Sequence, residues 1–131
     1  METREIKMAV TKLTKENLES TIENNDIVVI DFWAPWCGPC QAFKPIFEAA
    51  SESHQGILFA AVNTEEDPEL AAMFQVRSIP TLFVFREQIP VFGQPGMLPA
   101  EALNELLGKV EDLDMDDVRA RIAETETAEA V

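Results

Sequence analysis

The stretch DFWAPWCGPC, residues 31–40, contains both cysteines of the chain together with two tryptophans, two prolines and an aspartate. It follows the apolar run Ile27–Ile30, which is typical of a strand buried on both faces. The residues after it, with Phe43 and Phe47 four positions apart, have the spacing of a helix with one apolar face. The two cysteines are therefore predicted to lie where a buried strand gives way to a helix.

This position favours thiol chemistry at Cys37 and Cys40. Unpaired N–H groups and the positive end of the helix dipole stabilise a thiolate, and the thiolate is the nucleophile of disulfide exchange. We expect the earlier and better exposed Cys37 to attack a disulfide, and Cys40, one turn further on, to resolve the mixed disulfide. Gly38 and Pro39 shape the turn between them.

A metal site is the main alternative for a C-x-x-C pair. A structural zinc ion needs about four ligands, whereas the chain offers two cysteines and one histidine, His54. The predicted helix separates His54 from Cys37 by more than about 20 Å, at 1.5 Å per residue. We therefore expect no metal site, and we interpret His54 as an ordinary residue at the end of a helix.

Asp31 lies in the apolar strand, six residues before Cys37. A buried carboxylate is costly without a role or a partner, and burial raises its pKa. Such a group can accept and return a proton near neutral pH, so we expect Asp31 to lie under the dithiol as its acid–base partner. The alternative is an acid at a strand end that faces solvent, but apolar residues continue on both sides of Asp31.

Periodicity along the whole chain predicts an α/β sheet covered by helices on both faces. The predicted strands are residues 8–13, 27–33, 57–62, 81–86 and 89–92, and the predicted helices are residues 15–24, 38–53, 67–74 and 99–110. A further short helix, capped by Asp114, is predicted to end near Ala123 and to be followed by a frayed acidic end from Glu124.

The net charge of −14 over 131 residues disfavours binding to nucleic acid or to anionic membranes. Residues 111–131 hold eight acids and two arginines, a net charge of −6. No apolar run approaches the ~20 residues of a membrane span and no secretory signal is seen, so we expect a cytoplasmic protein. We expect one domain over residues 1–110 and a solvated acidic extension over residues 111–131.

The combination of WCGPC after VVIDFWA, a helix containing Pro45 and the later SIPTLFVF resembles the thioredoxin family over roughly residues 8–110. The resemblance implies a thioredoxin fold with a central mixed five-stranded sheet, and reduction of protein disulfides by Cys37 and Cys40 with help from Asp31. It implies no bound cofactor beyond a redox-active Cys37–Cys40 disulfide. Its expected partners are disulfide-containing substrate proteins and a flavoprotein similar to thioredoxin reductase, and we expect a monomer.

The resemblance also implies a substrate-binding surface beside the dithiol. In thioredoxins the residue matching Pro80 follows a cis peptide bond, and the backbone just before it, at Ile79, pairs with the substrate chain. The flat apolar rim would comprise Trp36, Gly38, Pro39, Ile79, Pro80 and Gly96. Trp33 would pack under the active-site loop, a position that also suits a core aromatic residue.

The sequence departs from the family pattern at three places. Ala61 stands where many thioredoxins carry a lysine near the buried aspartate, which should raise the pKa of Asp31 further. The hairpin Arg86-Glu87-Gln88 lacks the usual tight-turn glycine, and the strand after it is irregular because it contains Pro90 and Pro95. The acidic C-terminal segment exceeds the family's minimal domain.

Two other functions remain compatible with the sequence. An oxidant or isomerase of the same fold would have a higher reduction potential, although Gly-Pro between the cysteines resembles the reducing members. An adaptor or regulatory module would bind proteins through the same surface without turnover. Replacement of both cysteines by serine separates this second alternative from catalysis.

Overall fold

The computed structural model describes residues 10–130, with side chains as far as residue 126. Its elements are β1 (Val10–Lys12), α1 (Leu18–Glu23), β2 (Ile27–Trp33), α2 (Gly38–Ser53), β3 (Leu58–Asn63), α3 (Pro68–Met73), β4 (Thr81–Arg86), β5 (Ile89–Pro95), α4 (Ala100–Glu111) and α5 (Met115–Ala130). The strands form one sheet in the order β1-β3-β2-β4-β5. The first three in this order are parallel, and β4 and β5 run antiparallel to their neighbours. The predicted mixed five-stranded α/β sheet is confirmed.

The central strand β2 divides its side chains between two cores. Val28, Ile30 and Phe32 pack on the side of α1 and α3, whereas Ile27 and Val29 pack on the side of α2 and α4. Helices therefore cover both faces, as predicted. Because successive residues of a strand point to opposite faces, this alternation directs Asp31 toward α2.

Several boundaries differ from the sequence prediction. The predicted start of β1, at Met8, lies outside the described residues, and β5 continues to Pro95 beyond the predicted end at Phe92. The turn between β4 and β5 contains Glu87 and Gln88 at φ values of 52° and 70°. These are the left-handed conformations that two-residue hairpins require, adopted here without glycine.

The C-terminal helix α5 was only partly predicted. Its first turn is capped as expected, because the N–H of Asp117 donates to Oδ1 of Asp114 at 3.1 Å. The helix does not fray at Glu124, however, and continues to Ala130.

The beginning of α5 is docked on the domain. Met115 is buried at 5 % exposure, and Arg119 forms an ion pair with Glu87 in the β4–β5 turn. Arg86 of β4 donates from Nη1 to the carbonyl oxygens of Val110 at 2.7 Å and Leu113 at 3.1 Å, which fixes the link between α4 and α5. The first turns of α5 therefore pack on the domain, whereas the sequence favoured a solvated acidic extension. No helix within residues 10–130 combines the length and hydropathy that a bilayer span requires.

Candidate active site

The two cysteines meet at the N-terminus of α2. Cys37 is the N-cap residue, with an extended backbone, and forms a disulfide with Cys40 across a Cα–Cα distance of 5.2 Å. The backbone N–H of Cys40 points at Sγ of Cys37, at an N–S distance of 3.2 Å. Pro39 lies in the first turn of the helix, where a missing N–H costs nothing. The Sγ of Cys37 thus accepts from a backbone N–H at the positive end of the α2 dipole.

Both cysteines are buried in this disulfide form. Cys37 is 4 % exposed and Cys40 is 2 % exposed, so Cys37 is the more accessible by a small margin only. The pair packs against Ala34, and the Sγ of Cys37 lies 3.7 Å from the carbonyl oxygen of Ile79. Cys37 is therefore the better exposed cysteine, as predicted, but only slightly, because the disulfide lies between this loop and the residues before Pro80.

Asp31 is a buried carboxylate with apolar neighbours in the sheet. It is 5 % exposed, and its register partners are Ala61 on β3 and Leu82 on β4. Its Oδ1 atom has no hydrogen-bond partner among the described residues. Burial raises the pKa of Asp31 to about 7. The solvent-facing alternative is excluded, and the small side chain of Ala61 brings no charge that would favour the ionised form.

A cavity of about 90 Å³ connects Asp31 with the dithiol. Its lining includes Asp31, Cys40, Trp33 and Ala61, and α2 contributes Lys44 and Glu48. One water needs roughly 10–15 Å³ of such space, so the cavity has room to hydrate the carboxylate beside Cys40. The cavity therefore allows a proton to pass between the Cys40 sulfur and Asp31 through water.

Trp36 is the most prominent apolar group beside the dithiol. Its side chain is 68 % exposed, and its indole Nε1 donates a hydrogen bond to the carboxylate of Glu65. The loop that carries Glu65 is tied to the end of β2, since the N–H of Thr64 donates to the carbonyl of Trp33 at 2.9 Å. A Cβ atom on Gly38 would meet nothing within 4 Å, so the surface next to Trp36 is open.

The loop before β4 forms the other side of the site. The Ile79–Pro80 peptide bond is cis, as the family resemblance implies. Gly96 donates from its N–H to the carbonyl of Pro80 at 2.8 Å and has a φ of 98°, which favours glycine. Pro80 itself is buried while Ile79 is half-buried, so Pro80 lies beneath the predicted rim rather than on it. The remaining rim positions, Trp36, Gly38, Pro39 and Gly96, are exposed.

Residues 10–130 contain no cluster of three or more histidine, cysteine or acidic side chains arranged to hold a metal ion. His54 follows α2, and its Nε2 atom lies 2.9 Å from Oδ1 of Asn104. The interpretation of His54 as a helix-end residue is confirmed.

Three residues of the site were not identified from the sequence. Lys44 and Glu48 follow Cys40 at four and eight residues along α2, and this helical spacing was the available signal for the cavity wall. Glu65 belongs to the acidic run Glu65-Glu66-Asp67, in which nothing distinguishes the residue that contacts Trp36.

Most of the chain is similar in sequence to a known protein family and to curated proteins. The family model named Thioredoxin matches residues 9–109, so its match ends before α5. The chain is 50 % identical over 116 residues to a protein of Streptomyces coelicolor named putative thioredoxin 2, covering 88 % of this chain and 87 % of that protein. It is 38 % identical over 104 residues to a thioredoxin of Porphyra purpurea, covering 78 % of this chain and 97 % of that protein.

Solved structures show the same fold. A thioredoxin variant from Halobacterium salinarum superposes with a TM-score of 0.75 at 30 % identity, covering 79 % of this chain and 92 % of the other. Chloroplastic thioredoxin z superposes with a TM-score of 0.73 at 30 % identity, covering 78 % of this chain and 94 % of the other.

Proposed function

The chain belongs to the thioredoxin family and is a thiol–disulfide oxidoreductase that reduces protein disulfides, and from this premise we propose the role of each site residue. The observation that carries the proposal is the Cys37–Cys40 disulfide at the start of α2, with the buried carboxylate of Asp31 lining the cavity behind it.

Cys37 is the attacking nucleophile. In the reduced protein its thiolate is stabilised by the N–H of Cys40 and by the dipole of α2. The thiolate attacks one sulfur of a substrate disulfide, and the other substrate sulfur leaves as a thiolate. The product of this step is a mixed disulfide between Cys37 and the substrate.

Cys40 resolves the mixed disulfide. Its thiol gives a proton to Asp31 across the shared cavity, and the resulting thiolate attacks Sγ of Cys37. The bond from Cys37 to the substrate breaks, and the substrate sulfur that was bound to Cys37 leaves as a thiolate. The Cys37–Cys40 disulfide closes in the same step. Two electrons have then passed from the dithiol to the substrate.

The substrate chain binds beside the dithiol. Ile79 pairs through its backbone with an extended segment of the substrate, and Pro80 holds that backbone in place from below. Trp36, Gly38, Pro39 and Gly96 form the flat surface that the substrate covers, and Trp33 supports the loop from beneath. The burial of Pro80 and the open space over Gly38 support this arrangement.

The family implies disulfide substrates and a reductase partner in general terms. For this chain we propose that a flavoprotein using NADPH returns the electrons, and that the protein is a cytoplasmic monomer without a bound cofactor. Its net charge of −14 supports the absence of nucleic-acid and membrane binding. We assign residues 1–110 to the thioredoxin domain and residues 111–131 to an acidic C-terminal segment.

A trapping experiment tests the order of the two cysteines. Reduced Cys40→Ser protein incubated with a disulfide-containing protein such as insulin should accumulate a covalent complex through Cys37, because the resolving thiol is missing. Non-reducing electrophoresis and mass spectrometry detect the complex and locate its cysteine.

The matched control is Cys37→Ser, which retains Cys40 and should form little complex. Equal trapping through Cys40 in that variant would reverse the assignment. Failure of both variants to form any complex would contradict the proposed exchange mechanism.

A further inference from the structure

A second surface of the protein is an apolar cleft between β5 and α5. The cleft has a volume of about 390 Å³. Its apolar lining comprises Ile89, Pro90, Val91, Leu113, Val118 and Ile122. This volume falls within the ~300–1,000 Å³ typical of ligand-binding clefts. We propose that the cleft, which we call the β5–α5 cleft, binds an amphipathic helix of a partner protein with basic residues flanking its apolar face.

The cleft exists because α5 is anchored at its beginning. Met115 is buried and Arg119 is paired with Glu87, so the first turns of α5 are held against the β4–β5 turn. Further along, Ile122 is 37 % exposed although it lines the cleft. The apolar side chains of α5 and β5 therefore face a space that no other described part of the chain fills.

The cleft is separate from the dithiol. It lies at Ile89–Val91, the beginning of β5, whereas Gly96 of the active site follows the end of that strand. Five steps of about 3.3 Å along the strand, from Val91 to Gly96, separate the two regions by about 16 Å. A partner in the cleft thus leaves the substrate-binding surface accessible.

The edge strand β5 is poorly suited to hydrogen-bonded pairing with a strand of a partner protein. Pro90 and Pro95 have no N–H to donate to a neighbouring strand, and prolines on an edge strand prevent such pairing. A partner must instead insert side chains into the cleft. An amphipathic helix does this with apolar residues at positions i, i+3, i+4 and i+7.

The charges around the cleft specify a basic partner. Arg121 lines the cleft but is neutralised by Asp117, at 2.9 Å. Glu126 also lines the cleft and has no ion pair among the described residues. Lysine or arginine residues next to an apolar face would complement this carboxylate and the negative net charge of the chain. The net charge of −14 disfavours a second copy of the chain as the occupant.

The test is a titration of the full chain carrying Cys37→Ser and Cys40→Ser, so that redox exchange plays no part. The probe is a fluorescently labelled helical peptide of about four turns, with leucines at i, i+3, i+4 and i+7 and lysines elsewhere. Fluorescence anisotropy should show saturable binding. Ile122→Asp should weaken it about tenfold or more, and Glu126→Lys should also weaken it.

The matched control is Ala120→Asp, which adds the same charge on the opposite side of α5 and should leave binding unchanged. A peptide of the same composition without the helical pattern should bind at least about tenfold more weakly. No binding up to ~1 mM peptide, or equal binding by the Ile122→Asp variant, would overturn the proposal. A dimer detected by light scattering and abolished by Ile122→Asp would assign the cleft to a second copy, which also overturns it.

Discussion

At the scale of single residues, Asp31 is a carboxylate buried at the site, and its Oδ1 atom has no hydrogen-bond partner among the described residues. Its neighbours across the sheet, Ala61 and Leu82, offer neither a charge nor a hydrogen bond. The protein therefore retains a group that opposes folding when it is ionised. A pKa near 7 suits the proposed role of Asp31 in the resolving step, because a group with this pKa can exchange protons with a thiol at neutral pH.

We predict that Asp31→Asn stabilises the protein at alkaline pH. Below about pH 4 both the folded and unfolded states hold the proton of Asp31, and between about 4 and 7 only the folded state does. Stability is thus lost as pH rises through this window, and the loss is constant above it. The variant should gain up to about 4 kcal/mol at pH 8 and well under 1 kcal/mol at pH 4.

Urea unfolding at the two pH values measures this difference. The control is Glu52→Gln, which removes a carboxylate from the exposed face of α2 and should change stability little at either pH. A gain of the same size at pH 4 and pH 8 would show that ionisation of Asp31 is not its cause.

Trp36 depends on a single acceptor for its orientation. Its indole N–H donates to Glu65, and such a bond contributes about 1 kcal/mol. Glu65→Ala should therefore raise the KM for a protein disulfide about fivefold while changing kcat little, and Glu65→Gln should retain most of the affinity through its amide oxygen. Steady-state kinetics distinguish the two variants. A fall in kcat with unchanged KM would place the effect in the chemical step instead.

At the scale of secondary-structure elements, α5 extends the domain by attaching to the hairpin of β4 and β5. Arg86 binds the carbonyl groups at the end of α4, and Met115 fills a buried position directly after them. The ion pair between Arg119 and Glu87 is exposed and contributes less than the buried contacts. Apolar burial, rather than charge, is thus expected to hold α5 in place.

We predict unequal effects for two truncations of α5 side chains. Met115→Ala should lower the free energy of unfolding by about 2–3 kcal/mol, because it empties a buried site. Arg119→Ala should lower it by less than about 1 kcal/mol. Both variants should keep normal disulfide reductase activity, since neither residue contacts the site. Equal stability of wild type and Met115→Ala would show that α5 is not docked in solution.

At the scale of the whole molecule, the sequence predicted the sheet because the apolar runs at Ile27–Ile30 and Ile57–Val62 are short, continuous and preceded by turn residues. The burial of Asp31 followed from the same pattern. The docking of α5 was not predictable in this way. Its apolar stripe is thin, and its attachment depends on Arg86 and Glu87, which are distant in sequence. The contact between Glu65 and Trp36 was missed for the same reason, since only the folded chain brings them together.

The reduction potential of the Cys37–Cys40 pair tests the central claim most directly. Equilibration in defined thiol buffers, followed by tryptophan fluorescence, measures it. A protein-disulfide reductase of this family should have a potential near about −270 mV, the value typical of thioredoxins. A potential between roughly −180 and −120 mV, the range of isomerases and oxidants, would contradict the assignment as a reductase.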